Sequence, residues 1–281
     1  MDNTIPVTKQ NTSTTSLVQP AESTKQSAPT ITVKLPTKGY FYPTNHPLSS
    51  GTIELYHVTA KHEDILSNSN LLKKGTVLDE FLKALIATPG VALNDIFIGD
   101  KNALFIESRK NAYGETYTTK IKCPECGEES NVDIDISAVG SRAFPFENYV
   151  RGENKFTFLL PSSKKTVTWG LLTHKDESDI DQELKALAKL GTSTSAPEVT
   201  TRLKYTIKAI DGETDRAKIK NFIDTQMVAK DSLAFRRHVR ETTPDLDMMF
   251  DFNCPKCGHT QKMPIPLGAN FFWPNLTDRD M

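Results

Sequence analysis

The chain of 281 residues contains no apolar run near the ~20 residues that crossing a bilayer requires, so nothing in it reads as a membrane span. Its opening, MDNTIPVTKQNTST, lacks the charged start and apolar centre of a secretory signal, and we expect a cytosolic protein. Hydrophobic residues make up only 37%, below the globular average, which implies that part of the chain stays outside a packed core. Neither charge dominates. Lys and Arg number 34 against 35 Asp and Glu, and a formal net charge of −1 removes any global attraction to nucleic acid or anionic lipid. Catalytic signatures are missing as well: there is no GxxxxGKS/T phosphate loop, GxGxxG turn, GxSxG elbow or HExxH helix. We read no enzyme here, and no small-molecule substrate.

Cysteine is scarce, with four in the whole chain, but the four are not scattered. They fall into two copies of one pattern, Cys123-Pro-Glu-Cys126-Gly and Cys254-Pro-Lys-Cys257-Gly. Cytosolic thiols stay reduced, which favours a metal over disulfides. Each turn can aim two sulfurs at one point. Two turns together supply the four thiolates of a closed tetrahedral structural zinc site, Cys123, Cys126, Cys254 and Cys257, with iron as the other soft-ligand occupant. Proline fixes one turn dihedral, and glycine permits the positive φ needed after the second sulfur. A catalytic zinc would need an open position that four cysteines do not leave. A redox dithiol would lead into a helix, whereas Gly127 and an alternating strand follow here. His259, next to Gly258, is read as a neighbour of the site rather than a ligand.

Closing this site brings residue 254 back to residue 126, so the chain between must leave and return at neighbouring points. We therefore expect a discontinuous unit of residues 31–140 plus 246–281, with 141–245 as an inserted subdomain. Residues 1–30, rich in Ser, Thr, Gln and Pro, read as a disordered tail. Strands are expected around Ile31, Val33 and Leu35, and around Ile53, Leu55 and His57. Further strands should flank the first knuckle as a hairpin, through YTTKIK and Val132, Ile134 and Ile136. Phe250 and Phe252 lead into the second. A helix should run from Val77 to Ile86, capped by Thr76 with Asp79 in the returning position, and another from Asp100 to Gly114. The inserted part offers a strand pair, KFTFLLP and KTVTWGLL. Helical stripes follow: Ile180, Leu184 and Leu187 up to Gly191; Val199, Leu203, Ile207 and Ile210; Asp215 to Phe222; and Asp231 to Arg240. The fold class is α+β: a discontinuous zinc-ribbon-like unit with two CPxCG knuckles, a mixed N-terminal part and a mainly helical insertion.

The remaining polar clusters have ordinary explanations. The acidic run DESDIDQE, Asp176 to Glu183, lacks calcium-loop spacing and suits a helix N-terminus. Arg236, Arg237, His238 and Arg240 form one short basic run that reads as a solvated helix face. His46, His57, His62 and His174 show no ligand spacing, and Trp169 and Trp273 read as anchors. Two aromatic clusters, Tyr40–Phe41–Tyr42 and Phe271–Phe272–Trp273, either cover a core edge or, if exposed, mark a protein contact.

The run LPTKGYFYP, then GTIELYHVTAKHEDIL, LLKKG and GDKNALFIESRKNAYGETYTTKIKCPECG, resembles the baseplate hub and hub assembly chaperone family of T-even-type contractile-tailed bacteriophages. The likeness runs from about residue 34 to the end, through VTWGLLTHKDESDI, TTRLKYTIKAIDG and the second knuckle; the tail lies outside it. It maps the family's metal-type cysteines onto Cys123, Cys126, Cys254 and Cys257. It implies a non-catalytic tail assembly protein that binds baseplate hub subunits, in the host cytoplasm during assembly and in the tail baseplate if it stays in the particle. The alternative from the residues alone is a zinc-ribbon nucleic-acid-binding protein using Arg236 to Arg240, Lys122 and Lys256. The neighbouring Glu125, Glu128 and Glu129 carry the wrong sign for phosphate.

Overall fold

The computed structural model describes Met1 and residues 29–189, 197–267 and 269–272, so the N-terminal tail, the loop around Gly191 and Trp273 lie outside the described residues. Strand β1 (Thr30–Lys34) pairs antiparallel with β2 (Thr52–Tyr56), Val33 opposite Ile53, as the period-two pattern predicts. Two short helices that carry no clear stripe follow, α1 (Ala60–Leu66) and α2 (Ser69–Lys74). Helix α3 (Val77–Leu85) buries Val77, Phe81, Leu82 and Leu85. Its expected capping box does not form. Thr76 follows the left-handed Gly75 that ends α2, and at φ −107, ψ 5 it is not extended enough for its hydroxyl to fold back. Asp79 turns instead to Lys101, at 2.7 Å.

Helix α4 (Ile98–Tyr113) is the central element, with Ala103, Leu104, Phe105, Ile106 and even Arg109 buried around it. It begins two residues before the expected Asp100, because the Ile98 N–H donates to the Leu172 carbonyl. Asp100 itself is fully buried and caps nothing. Its carboxylate accepts from the Thr37 N–H at 2.9 Å, the Thr37 hydroxyl at 2.7 Å and the Tyr42 hydroxyl at 2.8 Å. The Tyr42 oxygen in turn accepts from the Phe97 N–H at 3.1 Å. The turn after β1 is thereby clamped to the start of α4. Gly39 makes the turn possible: its φ is 70°, and a Cβ there would lie 2.4 Å from the Leu48 carbonyl oxygen.

Past α4, strands β3 (Thr116–Lys122) and β4 (Glu129–Asp135) form the expected hairpin. The next part holds a sheet of β5 (Phe156–Leu159), β6 (Thr166–Trp169) and β7 (Ile207–Ile210), ordered β5-β6-β7, with α5 (His174–Lys189) and α6 (Glu198–Thr206) between β6 and β7. The helical stripe expected through Ile207 and Ile210 is therefore corrected. The helix stops at Thr206, and IKAI pairs with β6, where Ile207 and Ile210 are buried. Spacings of three and four suit a helix, but the free edge of β6 decides for a strand. Helices α7 (Arg216–Thr225) and α8 (Ala229–Glu241) follow, the first capped by the Asp215 carboxylate on the Ala217 N–H. The chain then returns as hairpin β8 (Met249–Asn253) and β9 (Thr260–Pro264), and ends its described part in α9 (Ala269–Phe272).

The two ends of the 141–245 stretch meet. Ser141 bridges Leu246, the Arg142 N–H donates to the Asp245 carbonyl, and the Asp247 N–H donates to the Gly140 carbonyl, both at 2.8 Å. Gly99 lets this neck sit on α4, since a Cβ there would fall 2.2 Å from the Pro244 carbonyl oxygen. Of the two aromatic clusters, Phe41, Tyr42, Phe271 and Phe272 are interior and Tyr40 is half-buried. Phe41 packs on Phe144, Phe146, Tyr149 and Phe156, and Phe271 and Phe272 pack on Tyr117, Phe81 and Phe105. They join the segments of one continuous core rather than marking an outer contact.

Burial pushes the Asp100 carboxyl up to about 6, against the hydrogen bonds that favour its ionised form. The fold therefore keeps a proton that the unfolded chain releases near pH 4, and stability from this group is lost as pH rises from about 4 to about 6. Asp100→Asn removes that slope. Its stability relative to the wild type should improve by roughly 3 kcal/mol between pH 4 and pH 7 in urea unfolding. A constant difference across that range would contradict the assignment.

Candidate metal centre

Two hairpins deliver the cysteines. In each, the first cysteine directly follows a strand and is buried, Cys123 at 1% and Cys254 at 2% exposure, while Cys126 and Cys257 sit at the exposed tip. The two turns are built alike. The Cys123 N–H donates to the Glu128 carbonyl and the Gly127 N–H to the Cys123 carbonyl; the Cys254 N–H donates to the His259 carbonyl and the Gly258 N–H to the Cys254 carbonyl. Gly127 and Gly258 share a φ of 72°. Open space surrounds Gly258, so the backbone angle and not crowding calls for glycine there.

The four sulfurs converge. Cys123 Sγ lies 3.8 Å from Cys257 Sγ and Cys126 Sγ lies 3.7 Å from Cys254 Sγ, and all four fall within 4.8 Å of one another. A tetrahedron with metal–sulfur distances of about 2.3 Å has its sulfurs about 3.8 Å apart. The separations are too long for disulfides, which need about 2.05 Å. Backbone N–H groups of Cys257 and Lys256 draw the Cys254 thiol down to about 6. The His259 N–H favours the Cys257 thiolate too, but desolvation and the three neighbouring sulfurs push that thiol up to about 12. Sulfurs this close cannot all carry negative charge without a cation between them. A soft divalent metal fits this donor set, and four sulfurs leave it no open position.

The hairpins also carry a small core of their own. Ile121, Cys123, Phe252 and Cys254 pack together, with Val132, Phe250 and Met263 against them. Phe252 was expected only as part of a strand; its packing under the sulfurs has no local signal in the sequence. At the base of the first hairpin, Tyr117 packs on Phe271 and donates its hydroxyl to the Pro266 carbonyl at 3.3 Å, which fixes the hairpin to the main core. His259 stays outside the cluster, its ring bonded to Gln261 at 3.2 Å. Lys256 pairs with Glu128 across the two turns, an exposed contact of little energetic weight. That pair leaves one knuckle lysine already neutralised beside the exposed Glu125 and Glu129.

Other polar groups singled out in the sequence serve packing. Asp176 accepts from the Thr173 N–H and hydroxyl at the start of α5, and Glu177 takes Arg202 of α6 through two hydrogen bonds, at 2.9 and 2.7 Å. His174 is buried beside Lys101, 2.9 Å from its Nζ; desolvation first, and that ammonium second, hold the imidazole neutral. Trp169 is fully buried, stacked on Phe156 with ring centroids 4.4 Å apart.

Fold and cluster define a class: a mixed α+β protein of small sheets whose four cysteines converge on one metal-type cage. Residues 28–273 match the family described as T4 bacteriophage base plate protein, and the chain belongs to that family. No significant match was found to a curated protein or to a solved structure. Membership supports a structural role in phage tail assembly and points away from catalysis.

The burial difference within the first pair gives a direct check. In protein held in chelator, iodoacetamide followed by peptide mass spectrometry should label the exposed Cys126 well before the buried Cys123, whereas in the second pair the lowered Cys254 thiol and the raised Cys257 thiol work against the exposure order. Equal rates at Cys123 and Cys126 would contradict the geometry.

Proposed function

We propose that the chain is a non-catalytic baseplate hub component or hub assembly chaperone that binds hub subunits through its folded surface. The family match over residues 28–273 carries this reading. In it the protein acts in the host cytoplasm during assembly and, as a component, remains in the virion tail. No described helix is long and apolar enough to cross a membrane. The buried Phe41, Tyr42, Phe271 and Phe272 do not form the contact surface. A rigid platform helps binding because little conformational freedom is lost on docking.

The platform's rigidity is assigned to one structural zinc held by Cys123, Cys126, Cys254 and Cys257 in a zinc-ribbon-like unit. The separations of 3.7 and 3.8 Å between sulfurs of opposite turns support it. On this reading residues 31–140 plus 246–281 form the discontinuous unit and 141–245 its excursion, with the Ser141–Leu246 bridge as the neck. Loop-closure entropy grows only logarithmically with length, so an excursion of this size is tolerable against a zinc affinity of ~10–16 kcal/mol. Metal-replete protein should carry one equivalent of zinc. Cys254→Ser should lose it and lower Tm by about 10 °C, on the order of 3 kcal/mol, in scanning calorimetry. Full zinc content in that variant would remove Cys254 from the ligand set.

Mass spectrometry of purified tails and of baseplate intermediates tests the role. A hub component is found in both, a chaperone in intermediates alone. Absence from both, with no co-purification with hub subunits, would overturn the reading.

A further inference from the structure

Helix α8 has two faces of opposite character. Inward, Phe235 is fully buried, Asp231 accepts the N–H groups of Ser162 at 2.6 Å and Ser163 at 2.9 Å, and His238 stacks on Phe158 with centroids 4.4 Å apart. The basic run seen in the sequence is thus split: its histidine belongs to the interior and its arginines to solvent. Outward, at about 100° per residue, Lys230, Leu233, Arg236, Arg237 and Arg240 occupy an arc of about 120°. Leu233 stands in the middle of that arc, with Arg236 and Arg240 on one side and Lys230 and Arg237 on the other.

Two features coincide on this face. Leu233, at the centre of the cations, is 53% exposed. Among the described residues none of the four cations pairs with a carboxylate; Lys61, Lys73, Lys74, Lys185, Lys189 and Lys220 on other helices also have no such pair, and it is the gathering of four around one exposed leucine that marks this face. Arg236 and Arg240 stand at i,i+4 and Arg237 and Arg240 at i,i+3, spacings at which like charges repel. The helix dipole offsets this only in the last turn, which covers Arg240 but neither Lys230 nor Arg236. Glu241, at i,i+4 from Arg237, offsets part of this repulsion at one edge, and the face keeps a local excess of positive charge that an external acidic surface would complement.

We propose that the outer face of α8 docks an acidic protein surface whose apolar socket receives Leu233. This rests on the baseplate reading for where the partner is met, and goes beyond it in naming the surface and the partner's chemistry. Protein is favoured over nucleic acid because a phosphate backbone offers no apolar socket for a leucine flanked by cations. Charge on the rim steers and orients such a contact, while the buried leucine anchors it.

The experiment uses phage assembled with variants of the full chain. Arg236→Glu, Arg237→Glu and Arg240→Glu together should leave circular dichroism and Tm unchanged yet cut incorporation into baseplate intermediates about tenfold. Leu233→Ser, with every charge kept, should also reduce incorporation. A photo-crosslinking benzoylphenylalanine at position 233 should join an acidic segment of another baseplate protein. Normal incorporation of the triple variant would overturn the proposal, as would crosslinks only to nucleic acid or to a second copy of this chain. Absence of the wild-type protein from every tail intermediate would instead sink the baseplate reading, and this docking partner with it.

Discussion

Four sulfurs lying within 4.8 Å of one another, drawn from turns 128 positions apart, impose a closure on the whole chain. Each turn alone is a two-stranded hairpin of a kind that is marginal in water. Together they share a core of Ile121, Cys123, Phe252 and Cys254 that neither could form by itself. Everything between them must return to its starting point, and it does so at the neck where Ser141 meets Leu246. The constraint is topological before it is energetic.

The closure is tied to the rest of the molecule through aromatic packing around α4. Tyr117 at the base of the first hairpin touches Phe271, and Phe272 reaches Phe81 and Phe105 on α3 and α4. The other end of α4 is held by Asp100, which gathers Thr37 and Tyr42 and through them the turn after β1. A carboxylate buried there is costly unless every oxygen is bonded. The three donors explain why the turn sequence contains a threonine and a tyrosine rather than two apolar residues. The same turn sends Phe41 into the aromatic group of Phe144 and Phe156, so that stretch of the chain is packed against the turn.

How much of this could be read from residues alone follows from the range of each interaction. The cysteine turns were legible because a thiolate pair and its glycine are local and chemically specific. Their meeting was legible because two half-sites call for each other. The division of the chain at residues 141 and 245 is an inference from that closure and belongs to the proposal. Three things were not legible. Ile207 to Ile210 fits a helical stripe, and only the edge of β6, contributed by Thr166–Trp169, turns it into a strand. Asp100 looks like a helix opener, and only its partners 63 and 58 positions away show it as a clamp. Tyr40 to Tyr42 looked equally able to face solvent, and the rings that cover Phe41 come from Phe144 to Phe156. In each case the deciding contact is distant in sequence.

A tail structural protein has to hold its shape through assembly, and a cage without an open coordination position suits that demand better than it suits chemistry. X-ray absorption at the metal edge of the purified protein bears on this most directly. One metal per chain surrounded by four sulfurs at about 2.3 Å is the expected result. A shell of two sulfurs completed by nitrogen or oxygen would mean that the two turns bind separately, and the closure proposed for the chain would be wrong.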